Sequence, residues 1–457
     1  MHIHILGICG TFMAGVAELA IELGHQVTGS DSGVYPPMST FLRARGIDVH
    51  DGYDAEQLNP APELVLVGNA LSRGNEAVEY ILNEHLNYLS APQWLASEIL
   101  PTRHVIAIAG THGKTTTTSI LAWILEQCGL EPGYLIGGIA QDFEQPAKLG
   151  GGRYFIIEAD EYDTAFFDKR SKFVHYHPDT LVLNNLEFDH ADIFPNLEAI
   201  KQQFHHLLRT VPATGSVIYQ AADPAIADVL ARGCWSRQKS FGFNSSAECR
   251  IVEYDETGVE KFKLRVAGET PIAARSPLLG RHNALNATAA ACAAADVGVP
   301  LHDAIAALAS FGGVKRRLEI IGVINQVTVY DDFAHHPTAI GATLDALRSA
   351  IGGARIICIV EPRSNTMRLG IHAPQIASAL AQANEIFIFG ARDISWDPQF
   401  LVDELGVKCR VCATVDAIVD FVTQIARPGD HIVIMSNGAF ANIHTRLLNA
   451  LGRGPNG

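Results

Sequence analysis

The stretch AGTHGKTTTT, residues 109–118, carries glycine, lysine and threonine at the spacing of a phosphate-binding loop. The apolar run HVIAIA precedes it, and a segment with apolar residues at 120, 121, 124, 125 and 128 follows at helical spacing. Strand, glycine turn and helix N-terminus together aim backbone N–H groups at phosphate oxygens. Gly110, Thr111, His112, Gly113, Lys114, Thr115 and Thr116 are therefore expected to hold ATP. Lys114 would reach the β and γ phosphates and the Thr115 hydroxyl would bind Mg²⁺. The complete form of this loop has a glycine where this chain has Ile108, so a shortened variant is expected.

Two acidic clusters follow later strands: IIEADEYD, residues 156–163, and NNLEFDHADIF, residues 184–194. An isolated acidic turn is most simply a solvated one. Beside a phosphate loop, however, oxygen and imidazole donors are well placed for a second Mg²⁺, with Glu158 and His190 as its expected ligands. GRHNALN (280–286), VKRRLE (314–319) and VYDDFAHHPTA (329–339) add Asn283, Arg317, Asp332 and His336, groups able to grip nucleotide, phosphate or carboxylate.

These clusters need a scaffold that brings strand ends together. At 457 residues, with 48% hydrophobic and 18% charged residues, the chain suits about three globular domains. The opening reads strand, glycine turn (GICGTFMAG), helix from Val16 to Leu23, then strand HQVTGSD ending in Asp31. Strand-like segments VTVYDD, ARIICIVEP, EIFIFG and HIVIMSNG repeat a parallel-sheet rhythm from about Glu319. The expected fold is α/β in three domains: Rossmann-like over 1–101, a central P-loop ATPase domain with a mostly parallel sheet over 102–318, and Rossmann-like over 319–457. Open sheets of this kind bind ligands beyond the carboxyl ends of their strands, so one shared cleft is expected.

A net charge of −15 argues against nucleic acid as a partner. No apolar run is long enough for a membrane span, and MHIHILGICG has no secretory pattern, so a cytoplasmic protein is expected. The eight cysteines fit reduced thiols. Cys409 and Cys412, three apart on a strand-like segment, should point to opposite faces and not to a common metal.

In order and along the whole chain, AGTHGKTT, EADEYD, NNLEFDH, GRHNALN and YDDFAHHPT resemble the signatures of the Mur ligases, ATP-dependent amide-forming enzymes of peptidoglycan synthesis. GICGTFMAGVA, SDSGVYPPMST, APQWL, EYDTAFFDKRSKFVHY, EPRSNTM and MSNGAF are similar to a member that accepts a recycled tripeptide. The resemblance implies ATP-driven joining of UDP-N-acetylmuramate to the murein tripeptide L-Ala-γ-D-Glu-meso-diaminopimelate through an acyl phosphate. It further implies that Lys114, His190 and His336 are catalytic, that Asn283 and Arg317 contact ATP with Asp332 on its ribose side, and that Gly7, Gly10, Asp31 and Asn69 hold the UDP moiety. Arg363, Ser364 and Asn365 would meet the distal end of the peptide. Three readings compete: an L-alanine acceptor, a nucleotide-sugar-binding regulator, and an NAD-dependent dehydrogenase in which Asp31 reads a ribose. GICGTF departs from the glycine pattern the last requires. The resemblance does not locate the carbamylated lysine that some family members use, and Lys201 is expected to be an ordinary helix residue.

Overall fold

The computed structural model describes residues 1–457 except 35–37, 144, 256–260, 267, 391–393 and 454–457. The YPP of SDSGVYPPMST lies outside the described residues.

Runs such as LVLV, buried at every position, belong inside a sheet covered on both faces. The first sheet has the order Asp48–Asp51, Gln26–Asp31, His2–Leu6, Leu64–Val67, Tyr88–Ser90, and all its neighbours are parallel. The chain reverses direction of winding between His2–Leu6 and Leu64–Val67, and that crevice receives the glycine turn at 7–10. The following helix spans Thr11–Glu22, beginning earlier than the expected Val16. Gly10, extended at the cap, allows the backbone to turn directly into it.

The second sheet has ten strands among the described residues. His104–Ala109 lies at its heart, between Tyr154–Ala159 and Thr180–Leu183, both parallel to it. Residues 213–275 continue it outward with Ser216–Gln220 and Arg237–Gly242, then finish it with an antiparallel meander of Cys249–Asp255, Lys261–Val266 and Ile272–Arg275. The helix Lys114–Gln127 packs on the alanine-rich helix Arg281–Asp296, whose small side chains let the two approach closely. Asp296 fastens that helix to the sheet by accepting from Thr180 Oγ1, Ser216 Oγ and Lys239 Nζ at 2.9, 2.9 and 2.7 Å.

The third sheet runs Glu319–Ile324, Val327–Asp332, His431–Met435, Ile356–Val360, Glu385–Phe389, Cys409–Cys412. The four strands read from the sequence, Val327–Asp332, Ile356–Val360, Glu385–Phe389 and His431–Met435, run parallel as expected, and Glu319–Ile324, not read as a strand, joins them antiparallel. Asn325 and Gln326 explain this, since φ of 50° and 61° at two consecutive residues is the geometry of a two-residue hairpin turn. Cys409 and Cys412 are buried in separate apolar clusters, Cys409 with Ile386 and Cys412 with Phe387, as opposite faces require.

The first and second units share one apolar cluster, which includes Ile3, Ala14, Leu135 and Phe155, and two further sets of contacts join the units near the site. The hairpin Asp163–Ala165 and Asp168–Ser171 extends from the second sheet toward the first. Phe166 at its tip packs on the cluster of Leu6, Val65 and Val67, and Phe167 stands edge-on to Tyr88 at 5.1 Å. The third unit meets the second through polar side chains around the phosphate loop. No helix among the described residues is long and apolar enough to cross a membrane.

Candidate active site

The loop after His104–Ala109 turns through Gly110 (φ 143°) and Gly113 (φ 79°), conformations that favour glycine. A side chain at Gly113 would also collide with the Asn286 carboxamide. Lys114 then begins the helix. It is buried, not solvent-facing as a phosphate-loop lysine is expected to be: Nζ donates to the Gly110 carbonyl at 2.7 Å and to Glu161 Oε2 at 2.8 Å, with Asp160 at 3.7 Å. The other Glu161 oxygen lies 3.1 Å from His190 Nε2, so one carboxylate joins the loop lysine to the histidine. Burial alone would discharge Lys114, but Glu161, Asp160 and Glu158 outweigh it and hold the ammonium charged. For Glu161 the burial penalty is likewise outweighed, by Lys114 and His190, and its pKa is lowered.

Thr115 Oγ1 donates to Glu158 Oε1 at 3.0 Å, and Glu158 Oε2 accepts from the Gly137 amide at 2.7 Å. The structure thus pairs Thr115 with Glu158, and His190 with Glu161 instead of with Glu158. Thr115 and Glu158 form the adjacent oxygen donors a hard divalent cation prefers. His190 has its Nε2 committed elsewhere in this arrangement.

Across from the loop stands the third unit. Glu187 Oε2 lies 3.0 Å from His112 Nε2 and 3.5 Å from His336 Nδ1. Ligand atoms of these three residues fall within 4.8 Å of one another, a spacing compatible with a divalent cation. The His336 ring lies 4.7 Å from that of His112 and 4.5 Å from that of His372. His336 also caps the helix Pro337–Ile351 by accepting from the Thr338 amide. Asp189 Oδ1 accepts from Thr366 Oγ1 at 2.7 Å, and His335 Nε2 lies 3.8 Å from its other oxygen.

Burial, with His112 nearby, lowers the His336 pKa to about 4. Between pH 6.5 and 4 the unfolded chain therefore binds the proton that the folded one refuses, so this contribution to stability is complete above 6.5 and declines as pH falls. Urea unfolding should show about 2 kcal/mol lost through this residue by pH 5. His336→Gln should flatten the slope between pH 7 and 5; an unchanged slope would remove His336 from the acid response.

The remaining expected residues are placed as follows. Thr111 exchanges hydrogen bonds with Glu187, its Oγ1 accepting from the Glu187 amide at 2.9 Å, while Thr116 is buried in the helix. Asn283 donates to the Leu279 carbonyl at 2.7 Å and accepts from Asn286 at 3.1 Å. A cavity beside the loop is lined by His112, Gly113, Asn184, Gln220, Phe241 and His282. Arg317 lies over the Phe333 ring at 5.0 Å. Asp332 is turned inward, accepting from the amides of Leu318 and Ala334 at 2.7 and 2.8 Å, so it shapes the passage between second and third units. Gly7 (φ 82°) and Gly10 form the first-sheet turn and Asn69 follows Leu64–Val67. Asp31 accepts from Cys9 N and Gly33 N, both at 2.8 Å, and so braces that turn. Ser364 caps the short helix Asn365–Arg368, and Arg363 lies 3.9 Å from Glu361. Lys201 pairs with Asp228 at 2.6 Å, as an ordinary helix lysine does.

Glu161, Glu187, Thr366 and His372 were not singled out from the sequence, whereas Asp189 was read with Asn185, His190 and Asp192 as part of the polar cluster at 184–194. Glu161 and Glu187 lie inside EADEYD and NNLEFDH, where pattern alone could not choose among neighbouring acids.

Three family models cover the three sheets: "Mur ligase family, catalytic domain" over residues 2–100, "Mur ligase middle domain" over 108–294 and "Mur ligase, glutamate ligase domain" over 316–438. A protein of Haemophilus influenzae named UDP-N-acetylmuramate–L-alanyl-gamma-D-glutamyl-meso-2,6-diaminoheptandioate ligase is 51% identical over 98% of this chain and 99% of its own length. The chain belongs to the Mur ligase family. This Mur ligase is also 51% identical to the identically named protein of Escherichia coli, over 99% of both chains. It is 34% identical to a UDP-N-acetylmuramate–L-alanine ligase of Methylocella silvestris, over 95% of this chain and 94% of that one. Among solved structures, a murein peptide ligase of Psychrobacter arcticus matches this Mur ligase with a TM-score of 0.77 at 44% identity, covering 99% of each chain.

Proposed function

We propose that this Mur ligase joins UDP-N-acetylmuramate to the recycled tripeptide L-Ala-γ-D-Glu-meso-diaminopimelate, converting ATP to ADP and phosphate. The observation that carries the reading is the buried chain Lys114, Glu161, His190 at the end of the phosphate loop, opposite His335 and His336. Full-length identity of 51% to two ligases named for those substrates supports it.

A carboxylate oxygen of the muramyl group attacks the γ-phosphorus of ATP, ADP leaves, and an acyl phosphate results. The neutral amine of the tripeptide's L-alanine then attacks the acyl carbon, phosphate departs, and the nitrogen gives up one proton to leave an amide N–H. Lys114, kept charged by Glu161, neutralises the transferring phosphoryl group, and the amides at the helix N-terminus orient it. Thr115 and Glu158, adjacent oxygen donors in the structure, would hold Mg²⁺, with His190, read from the sequence as a ligand of a second Mg²⁺, as a further donor; the metal would supply charge neutralisation to the phosphates. We assign residues 1–101 to the UDP-sugar, with Gly7, Gly10 and Asn69 at the ligand and Asp31 bracing the turn. Residues 102–318 take ATP, through residues 110–116, Asn283 and Arg317. Residues 319–457 take the acceptor, His336 near the reacting atoms and Arg363, Ser364 and Asn365 at its distal end. ATP and a nucleotide sugar as substrates support a cytoplasmic location.

Phosphate release from ATP and Mg²⁺, with UDP-N-acetylmuramate and either L-alanine or the tripeptide, tests the reading. Release that requires the tripeptide is the expected result. Release with L-alanine alone would move the activity to that of the 34% identical relatives, and release indifferent to both acceptors would refute ligation.

A further inference from the structure

Lys172 opens the short helical turn Lys172–His175 and is 7% exposed. Its ammonium has no hydrogen bond to any described residue. It faces the ring of Phe12 at 5.1 Å and that of Tyr162 at 5.7 Å, with Asp160 Oδ2 at 3.8 Å. Asp160 in turn reaches toward Lys114 at 3.7 Å, so a single carboxylate stands between two buried cations. Phe12 is the second residue of the helix that leaves the glycine turn at 7–10. Lys172 therefore belongs to the second unit in sequence and faces the ligand turn of the first in space.

A desolvated ammonium normally acquires donors' worth of acceptors or is excluded from the interior. Two aromatic faces and one shared, distant carboxylate leave this one with hydrogen-bonding capacity unspent. A glycine turn at a helix N-terminus is itself a cradle for phosphate. Lys114 already serves the carboxylate and γ-phosphate end of the cleft, which leaves the diphosphate as the anion at the Lys172 end.

We infer that Lys172 binds the diphosphate of the nucleotide sugar, closing from the second unit a site whose floor is the glycine turn of the first. The inference rests on the substrate reading given above. It explains why a buried cation is placed between two aromatic rings and a single distant carboxylate: ligand oxygens would complete the lysine's coordination.

The test compares full-length wild type with Lys172→Met and Lys172→Arg, using calorimetric titration with UDP and with UDP-N-acetylmuramate, and steady-state kinetics. Methionine fits the aromatic surroundings without charge. The expected result is at least a tenfold rise in Kd for both UDP and UDP-N-acetylmuramate, an unchanged KM for ATP, an unfolding temperature of the free protein no lower than wild type, and substantial recovery with arginine. UDP binding equal to wild type in Lys172→Met would overturn the inference, even if UDP-N-acetylmuramate binding falls, because the contact would then be to the sugar acid. A marked loss of stability in both variants would overturn it in favour of a structural lysine. Wild type that binds neither compound would refute the substrate reading itself.

Discussion

Lys114→Met should lower phosphate release by about 10³-fold or more at saturating substrates, because the variant removes the cation that meets the transferring phosphoryl group. Its burial complicates the experiment. Removing one member of a buried ion pair leaves the other desolvated and uncompensated, a loss of about 3–5 kcal/mol. Among the described residues, Glu161 would retain only His190 as a partner. The single variant can therefore be inactive for two reasons. Lys114→Met combined with Glu161→Gln separates them, since the second change removes the stranded charge. Stability should recover toward wild type while turnover stays absent. Turnover returning with stability would make Lys114 a structural cation and remove it from the mechanism.

Asp332→Ala should destabilise the protein by about 2–4 kcal/mol, as two backbone amides, those of Leu318 and Ala334, lose their common acceptor. Leu318 stands at φ 50° and Arg316 at φ 61°, so this segment depends on outside contacts to hold its shape. Arg317 lies between them, and its placement over Phe333 should be lost with the segment. The expected kinetic signature is a rise in KM for ATP together with a fall in kcat. Denaturant unfolding and initial rates measure both. If stability is unchanged and only KM for ATP rises, Asp332 contacts nucleotide directly, as its resemblance to the family motif first implied.

The loop, its strand and helix, and the parallel core were legible because each rests on local pattern: apolar runs, glycine spacing and helical periodicity. The start of the first helix was read late because Gly10 carries no side-chain cap to mark it. The antiparallel first pair of the third sheet was hidden in Asn325 and Gln326, an ordinary dipeptide until its backbone angles are seen. Site residues divided in the same way. Lys114 and Thr115 follow from loop geometry, whereas the choice of Glu161 as partner to both Lys114 and His190 depends on how a strand end curls beneath the loop. Contacts between Glu187 and His336, or Asp189 and Thr366, join positions more than a hundred residues apart and leave no spacing to read.

Asp189 and His190 are chain neighbours with opposite attachments. Asp189 takes the Thr366 hydroxyl of the third unit, while His190, turned by a φ of 54°, faces Glu161 beneath the phosphate loop. Consecutive Cα atoms across a trans peptide are about 3.8 Å apart. A displacement of Thr366 in the third unit would therefore reach His190 across a single peptide, through Asp189 on one side and the Ala191 amide on the other. With the acceptor assigned to the third unit, as proposed above, seating of that unit and alignment of His190 would be coupled through this one peptide.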